Sequence, residues 1–152
     1  MIDTLDTSQL VTVLQTAVGP VVVISGVGLL LLTMTNRLGR IVDRSRALAH
    51  QARTSEGLEE EAARVQLRIL GERAQLVRKA ILLAGICVLF IALVVITLFV
   101  TALFKVGIAW LVAAFFIISM LCLVASLLFF VRDINKSLQA TAVEVGEDWE
   151  NR

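Results

Sequence analysis

A cluster of charged side chains directly follows a long apolar run in the first third of the chain. The segment NRLGRIVDRSR, residues 36–46, holds four arginines and one aspartate within eleven residues. Guanidinium groups bind phosphates and carboxylates through paired N–H donors, so these residue types suit an anionic ligand or an acidic partner. Arginines also mark the cytoplasmic ends of membrane helices, which makes topology the competing explanation. The residues are Arg37, Arg40, Arg44 and Arg46, with Asp43 among them.

Three of these arginines share one face of a predicted helix: Arg37, Arg40 and Arg44. Asp43 lies three residues from both Arg40 and Arg46, a spacing that allows ion pairs along a helix. Topology with local ion pairs is the simpler interpretation of the cluster. The functional alternative is a basic rim that binds anionic lipid headgroups, ions or an acidic partner. Nucleic acid is not expected, because glutamates at 59–61 oppose the bases and no aromatic residue is interleaved for stacking.

A second pattern precedes the cluster along the same predicted helix. Small or polar residues recur every seven positions, close to two helical turns, and therefore form nearly one line. Two interpretations stay open. The glycines let another helix approach closely, or the stripe from several subunits lines a pore with arginine rings at its inner mouth. The stripe consists of Thr12, Gly19, Gly26 and Thr33, and Arg40 is the next member of the series.

Residues for catalysis or metal binding do not stand in a usable arrangement. His50 is the single histidine, and Cys87 and Cys122 have no His or Cys at metal-ligand spacing. The sequence has no Ser-His-Asp set and no phosphate-binding loop. No charge interrupts the apolar runs, which disfavours an ion-coupled transporter. We therefore expect no enzyme, no catalytic residue, no cofactor and no metal.

Three uncharged runs define the elements that must position these residues. The chain is 58% hydrophobic and only 18% charged, with a mean hydropathy of +0.87. About 20 apolar residues suffice to cross a bilayer as a helix. We therefore predict transmembrane helices at residues 19–35, 80–104 and 106–131. The N-terminus carries no base, so a cleaved signal peptide is not expected.

The distribution of basic residues predicts the orientation in the membrane. Of the 14 Lys and Arg residues, 13 lie in residues 36–79 or after residue 131. Basic loops stay in the cytoplasm, so we expect the N-terminus outside and the C-terminus inside. Residues 1–18 are then an extracytoplasmic amphipathic segment, which Pro20 follows as a kink or as the first turn of a span. Residues 132–152 form a cytoplasmic tail.

Residues 36–79 are predicted to form an antiparallel helical hairpin that continues the first two spans. Apolar or small residues at 4-3-4 spacing supply a seam on each arm. Folding about a turn near residues 53–57 sets Asp43 level with Arg68, and Arg40 level with Glu72, as ion pairs worth about 0–1 kcal/mol each if exposed. Leu67 and Leu70 are left to meet a neighbouring subunit. The seams are Ile41, Ser45, Leu48 and Ala52, and Leu58, Ala62, Val65 and Ile69.

The arginine cluster also carries a family resemblance. The pattern R-L-x-R-I-x-D-R-x-R, with Gly19-Pro20 upstream and two further apolar runs, resembles the bacterial membrane proteins grouped as domain of unknown function 2721. The resemblance extends from about Gln15 to about Lys136. It implies a three-span protein of the bacterial inner membrane, and it supplies no catalytic residue. The motif positions are Arg37, Leu38, Arg40, Ile41, Asp43, Arg44 and Arg46.

The fold expected from all these patterns is an all-α membrane protein with three transmembrane helices, the first two extended into a cytoplasmic antiparallel hairpin. Three spans alone would leave polar stripes facing lipid, so a homo-oligomer is expected, with membrane lipids as further partners. The first functional hypothesis is a pore lined by helix 1 with an arginine-rich cytoplasmic mouth, which the seven-residue stripe favours. The alternative is a non-conducting scaffold or accessory subunit whose basic hairpin binds anionic lipid or a protein partner.

Overall fold

The computed structural model describes residues 7–54, 57–104 and 107–150, with side chains at 11–54, 57, 60–104 and 107–137. Three helices make up this part of the chain: α1 Thr7–Thr54, α2 Leu58–Phe104 and α3 Ala109–Glu150. Each contains a stretch long and apolar enough to cross a membrane. The predicted all-α membrane fold with three spanning helices is confirmed.

The helix α1 continues through Pro20, so residues 7–18 are its first part. Of the two interpretations of this proline, the first turn of a span is therefore wrong, while a kink within one helix stays compatible with the structure. Proline removes one backbone donor, and apolar membrane helices tolerate this loss where neighbouring groups satisfy the freed carbonyl. Between α1 and α2, Gly57 has a φ of 75°, a left-handed conformation that glycine adopts without strain. Residues 55 and 56 of the predicted turn lie outside the described part.

Packing divides the chain into two compact units. Unit 1 comprises Met1–Leu32 and Leu83–Val124, and unit 2 comprises Thr33–Leu82 and Ala125–Arg152. Unit 1 holds most of the apolar runs, and unit 2 holds almost all of the charged residues. Each unit has a core of its own.

The core of unit 1 is mainly apolar and, among the described residues, buries no charged side chain; Thr97 and Ser119 are its buried polar residues. Its apolar part consists of buried side chains of α1 and α2, against which residues of α3 pack. The rings of Phe90 and Phe115 add a tilted contact between α2 and α3, with 5.8 Å between centroids. Hydroxyl groups in this unit donate to carbonyls of their own helix; Ser25 donates to Val21 at 3.3 Å. The buried members are Val27, Ala84, Cys87 and Ile91, with Met120, Cys122 and Leu123 packed against them.

The core of unit 2 draws on all three helices, which corrects the predicted seam of α2. Val65 and Ile69, expected in that seam, are 56% and 47% exposed, and Ala62 is exposed as well. Leu70, expected to meet another subunit, is buried instead. The predicted hairpin considered contacts between α1 and α2 only. Because α2 packs against both α1 and α3, its buried residues lie one position after the predicted ones. That line is Ala63, Leu70 and Val77, and the core also contains Met34, Ile41 and Ala80, with Leu38, Leu48, Phe129 and Phe130 against it.

Candidate functional site

The most unusual side chain of unit 2 is a fully buried aspartate. Asp133 lies on α3, two residues after the uncharged run ends, and its exposed fraction is 0%. Removing a carboxylate from water costs several kcal/mol unless cations and donors compensate for its lost hydration. Two arginines from the other helices supply this compensation. The Nε of Arg37 lies 2.8 Å from Oδ2, and the Nε of Arg73 lies 3.3 Å from Oδ1.

Helical spacing explains why both arginines face the carboxylate. Arg37 stands three residues after Met34 and four before Ile41, both buried on α1. Arg73 stands three residues after Leu70 and four before Val77, both buried on α2. Residues three and four apart share one helix face, so each apolar line turns its arginine toward the core of unit 2.

The buried line of α3 is polar. Ser119, Ser126 and Asp133 are each 0% exposed and stand seven residues apart, close to two helical turns. Ser126 donates a hydrogen bond from its Oγ to the carbonyl of Ala80 on α2, at 2.7 Å. In unit 2, α2 packs closely enough to α3 to offer this serine a carbonyl of another helix. The hydrogen bond is a second polar link between these two helices.

We call Arg37, Arg73 and Asp133 the buried charge trio. Their side chains are 23%, 17% and 0% exposed, so the trio is nearly removed from water. Arg73 forms a hydrogen bond with Oδ1. At Oδ2 the Arg37 contact is an ion pair, because no donor among the described residues points at this oxygen well enough for a hydrogen bond. Two cations and one anion leave the trio with a formal charge of +1.

Aromatic and ionic contacts flank the trio. Arg37 lies over the ring of Phe130, 5.7 Å from its centroid, a distance at which a cation and an aromatic face attract each other. Lys136 and Glu72 form an ion pair at 3.4 Å, with side chains 50% and 57% exposed. Such an exposed pair contributes about 0–1 kcal/mol, whereas the buried trio depends strongly on its partners.

The predicted basic rim divides into two environments. Arg37 belongs to the buried charge trio, while Arg40, Arg44 and Arg46 are exposed. Within the described part of the chain these three arginines form no ion pair with an acidic side chain. The four arginines of the predicted rim therefore do not share one environment. Of these four, only Arg37 forms an ion pair with Asp133.

The predicted ion pairs of the hairpin are replaced by another set. Glu72 pairs with Lys136 on α3 rather than with Arg40. Asp43 and Arg68 are both exposed, and neither forms an ion pair with any residue in the described ranges. The physical reason is again α3. Its charged residues Asp133 and Lys136 pair with residues of α2, whereas the predicted hairpin offered α2 only the charges of α1.

The small-residue stripe lies outside the packing of this chain. All four members, Thr12, Gly19, Gly26 and Thr33, are exposed. A Cβ added at either glycine would meet no atom within 4 Å, so neither permits a close approach inside the chain. From residue 27 onward the buried residues of α1 are Val27, Met34 and Ile41, each one position after a member of the seven-residue series, which places the series about 100° away around the helix.

Sequence reasoning overlooked Asp133 and Arg73, although a signal was present. Asp133 falls within the predicted cytoplasmic tail, and Arg73 within the predicted hairpin, and neither is singled out there. Yet Asp133 continues a seven-residue series with Ser119 and Ser126, the two serines of an otherwise apolar run. A polar series that ends in an acid indicates a buried face that needs cations from its neighbours. Among the described residues, no group of three or more His, Cys, Asp or Glu could hold a metal ion.

Comparison with known proteins gives one match. A family model described as "Protein of unknown function (DUF2721)" matches residues 17–143. This range covers most of the chain and contains the whole buried charge trio. No curated protein and no solved structure matches.

Proposed function

Because the chain belongs to the DUF2721 family, whose description assigns no activity, we propose its function from the surface that unit 2 exposes. The proposal is a non-catalytic, homo-oligomeric scaffold of the bacterial inner membrane that binds anionic lipid headgroups on its cytoplasmic side. The pore hypothesis loses part of its support, since Arg37 is engaged with Asp133 instead of standing in a ring at a channel mouth.

One observation carries the proposal: exposed bases stand close to the end of every apolar run. Arg40 lies on α1, Arg78 and Lys79 on α2, and Arg132 on α3, and all four are exposed. We call them the basic belt. None forms an ion pair with another described residue, so their charge is directed to solvent. Near an anionic leaflet, each Lys or Arg contributes about 1 kcal/mol of attraction.

The lipid preference is tested with a fourfold variant that replaces Arg40, Arg78, Lys79 and Arg132 by Gln. We expect the purified protein to lose its preference for phosphatidylglycerol over phosphatidylcholine, measured as lipid retained in native mass spectra. The control replaces four exposed arginines farther along the arms: Arg46, Arg53, Arg64 and Arg68. They stand more than ten residues from an apolar run, a helical rise beyond the Debye length of about 8–10 Å. Equal loss in both variants would contradict the proposal.

The oligomer is tested at the stripe. The exposed line of Gly19 and Gly26 has open space beside it, which suits close approach by a helix of a second copy. Gly26→Leu should lower the mass of the assembly in mild detergent, measured by light scattering. Gly28→Leu is the matched control, because Gly28 is also exposed with open space around it but faces about 160° away. A monomeric wild type would overturn this part of the proposal.

The exposed stripe is also what a pore lined by α1 would need, so the pore is kept as the second candidate. Bilayer conductance of the wild-type assembly distinguishes the two. A scaffold gives no conductance above that of empty bilayers. A conductance that Gly26→Leu and Thr33→Leu abolish, while Gly28→Leu leaves it unchanged, would replace the scaffold by the pore.

A further inference from the structure

The buried charge trio carries more positive charge than its own carboxylate neutralises. Arg37 and Arg73 share one aspartate, and both side chains are more than three-quarters buried. Their neighbours Glu72 and Lys136 add one charge of each sign, so they do not balance the excess. A partly desolvated excess of +1 favours an anion that does not belong to the chain.

Unused donors accompany this excess charge. A guanidinium has five N–H donors, and each arginine turns its Nε toward Asp133. No hydrogen bond from an Nη group of Arg37 or Arg73 to another described residue is formed. Neither side chain is sealed from solvent, since 23% of Arg37 and 17% of Arg73 stay exposed.

The position of the trio relative to the apolar runs favours a phosphate. Arg37 and Asp133 each stand two residues beyond the end of a predicted span, 19–35 and 106–131, a helical rise of about 3 Å. The polar headgroup layer of a bilayer is about 5–8 Å thick on each side, so these residues are at headgroup depth in a membrane-spanning chain. Arginine pairs match phosphate oxygens in both charge and geometry.

We propose that Arg37 and Arg73 together bind one phosphate group through their Nη donors, while Asp133 holds the two guanidiniums at the required spacing. The phosphate belongs either to an anionic phospholipid or to a free phosphate ion. This inference rests on the proposed function, because it adds one discrete phosphate site to the proposed lipid-binding surface. It differs from the basic belt, whose four residues attract a leaflet without a fixed geometry.

The test needs variants that fold. Arg73→Gln alone would leave a buried carboxylate with one cation, so it is combined with Asp133→Asn, which removes one charge of each sign. The charge-matched control is Glu72→Gln with Lys136→Gln, which also removes one of each but at an exposed pair. Binding of phosphatidylglycerol is measured by native mass spectrometry on the full chain. Binding of inorganic phosphate is measured by the shift in thermal unfolding in mild detergent.

We expect the Arg73→Gln/Asp133→Asn variant to bind about tenfold more weakly, the loss of one charge-assisted contact. The Glu72→Gln/Lys136→Gln variant should stay within about twofold of the wild type, since its exposed charges are screened. Asp133→Asn alone should bind more tightly, because the site's charge rises from +1 to +2 while a side chain of the same shape, with an amide oxygen that still accepts a hydrogen bond, stays between the arginines. A trio with a purely structural role would not show this gain.

Competition identifies the source of the phosphate. If millimolar inorganic phosphate displaces phosphatidylglycerol, the site takes the free ion as well; if it does not, the site is specific for the lipid. The inference is overturned if the Arg73→Gln/Asp133→Asn variant binds both probes as the wild type does. If binding is then lost only in the basic-belt variant, the proposed function stands and the discrete site fails. If neither probe binds the wild type, both fail.

Discussion

Units 1 and 2 are built from segments of the same three helices, yet their cores differ in kind. Unit 1 buries apolar side chains such as Val27, Cys87 and Ile91. Unit 2 buries a charged aspartate and pairs it with two arginines. Within lipid, helices associate through close packing because the surroundings are as apolar as the interface. At the polar boundary, a buried ion group penalises every arrangement that separates its members.

This difference indicates that the arrangement of the helices is specified more strictly in unit 2 than in unit 1. An apolar interface tolerates small rotations, since one aliphatic contact replaces another at little cost. A buried carboxylate does not, because rotation of α1, α2 or α3 in unit 2 would leave its charge without a partner. We therefore expect unit 2 to determine the packing of its three helical segments chiefly through the buried charge trio.

The largest effect is expected from removing both cations of the trio. Replacing Arg37 and Arg73 by Met leaves Asp133 buried without a partner and should cost about 3–5 kcal/mol of unfolding free energy. Denaturation of the purified protein in mixed micelles measures this cost. Adding Asp133→Leu to the double variant removes the last buried charge and should restore most of the lost stability. A double variant as stable as the wild type would show that the trio does not control packing.

In unit 1 the largest effect is expected from a cavity. Ile91 is 0% exposed on α2, so Ile91→Ala should destabilise by about 2–5 kcal/mol, depending on how far the site relaxes. Ile96 is the matched control on the same helix, because its side chain is 56% exposed. Ile96→Ala should change stability by less than about 0.5 kcal/mol. Similar losses at both positions, in the same denaturation assay, would contradict the packing of α2 in unit 1.

A smaller effect is expected at the hydrogen bond between α3 and α2. Ser126→Ala removes the donor to the Ala80 carbonyl and should cost about 0.6–1.7 kcal/mol, the range for polar contacts between membrane helices. Ser25→Ala is the control, since Ser25 is exposed and bonds only to its own helix. Its effect should fall near zero. An equal cost in both variants would mean that the link between the helices contributes nothing of its own.

The smallest effect is expected at the exposed pair beside the trio. Lys136→Gln should cost less than about 1 kcal/mol, and the cost should decrease as salt is raised from low to high ionic strength. Unfolding measured at two salt concentrations tests this. A salt-independent cost of several kcal/mol would contradict this prediction. It would mean that the exposed pair of Lys136 stabilises the fold as strongly as the buried charge trio does.

The sequence predicted helix α1 better than helix α2. On α1 the predicted seam begins at Ile41, which is buried, and includes Ser45 and Leu48, which are half-buried. On α2 the predicted seam contains Val65 and Ile69, both of which are exposed. A periodic apolar pattern shows that a helix has a buried face, but Leu67 and Leu70 fit the same period as well as their neighbours do. The choice between adjacent faces depends on which helices surround α2.

The sequence alone determined the three long helices and the place of the first arginine cluster. Long uncharged runs must satisfy their backbone hydrogen bonds internally in a membrane, which dictates helices, and basic residues must collect at their polar ends. Only the tertiary structure decided that Asp133 meets Arg73, 60 residues earlier, and Arg37 on α1. That contact depends on the rotation and register of three separate helices in unit 2. A rotation by one residue, about 100°, would break it without changing any local pattern in the sequence.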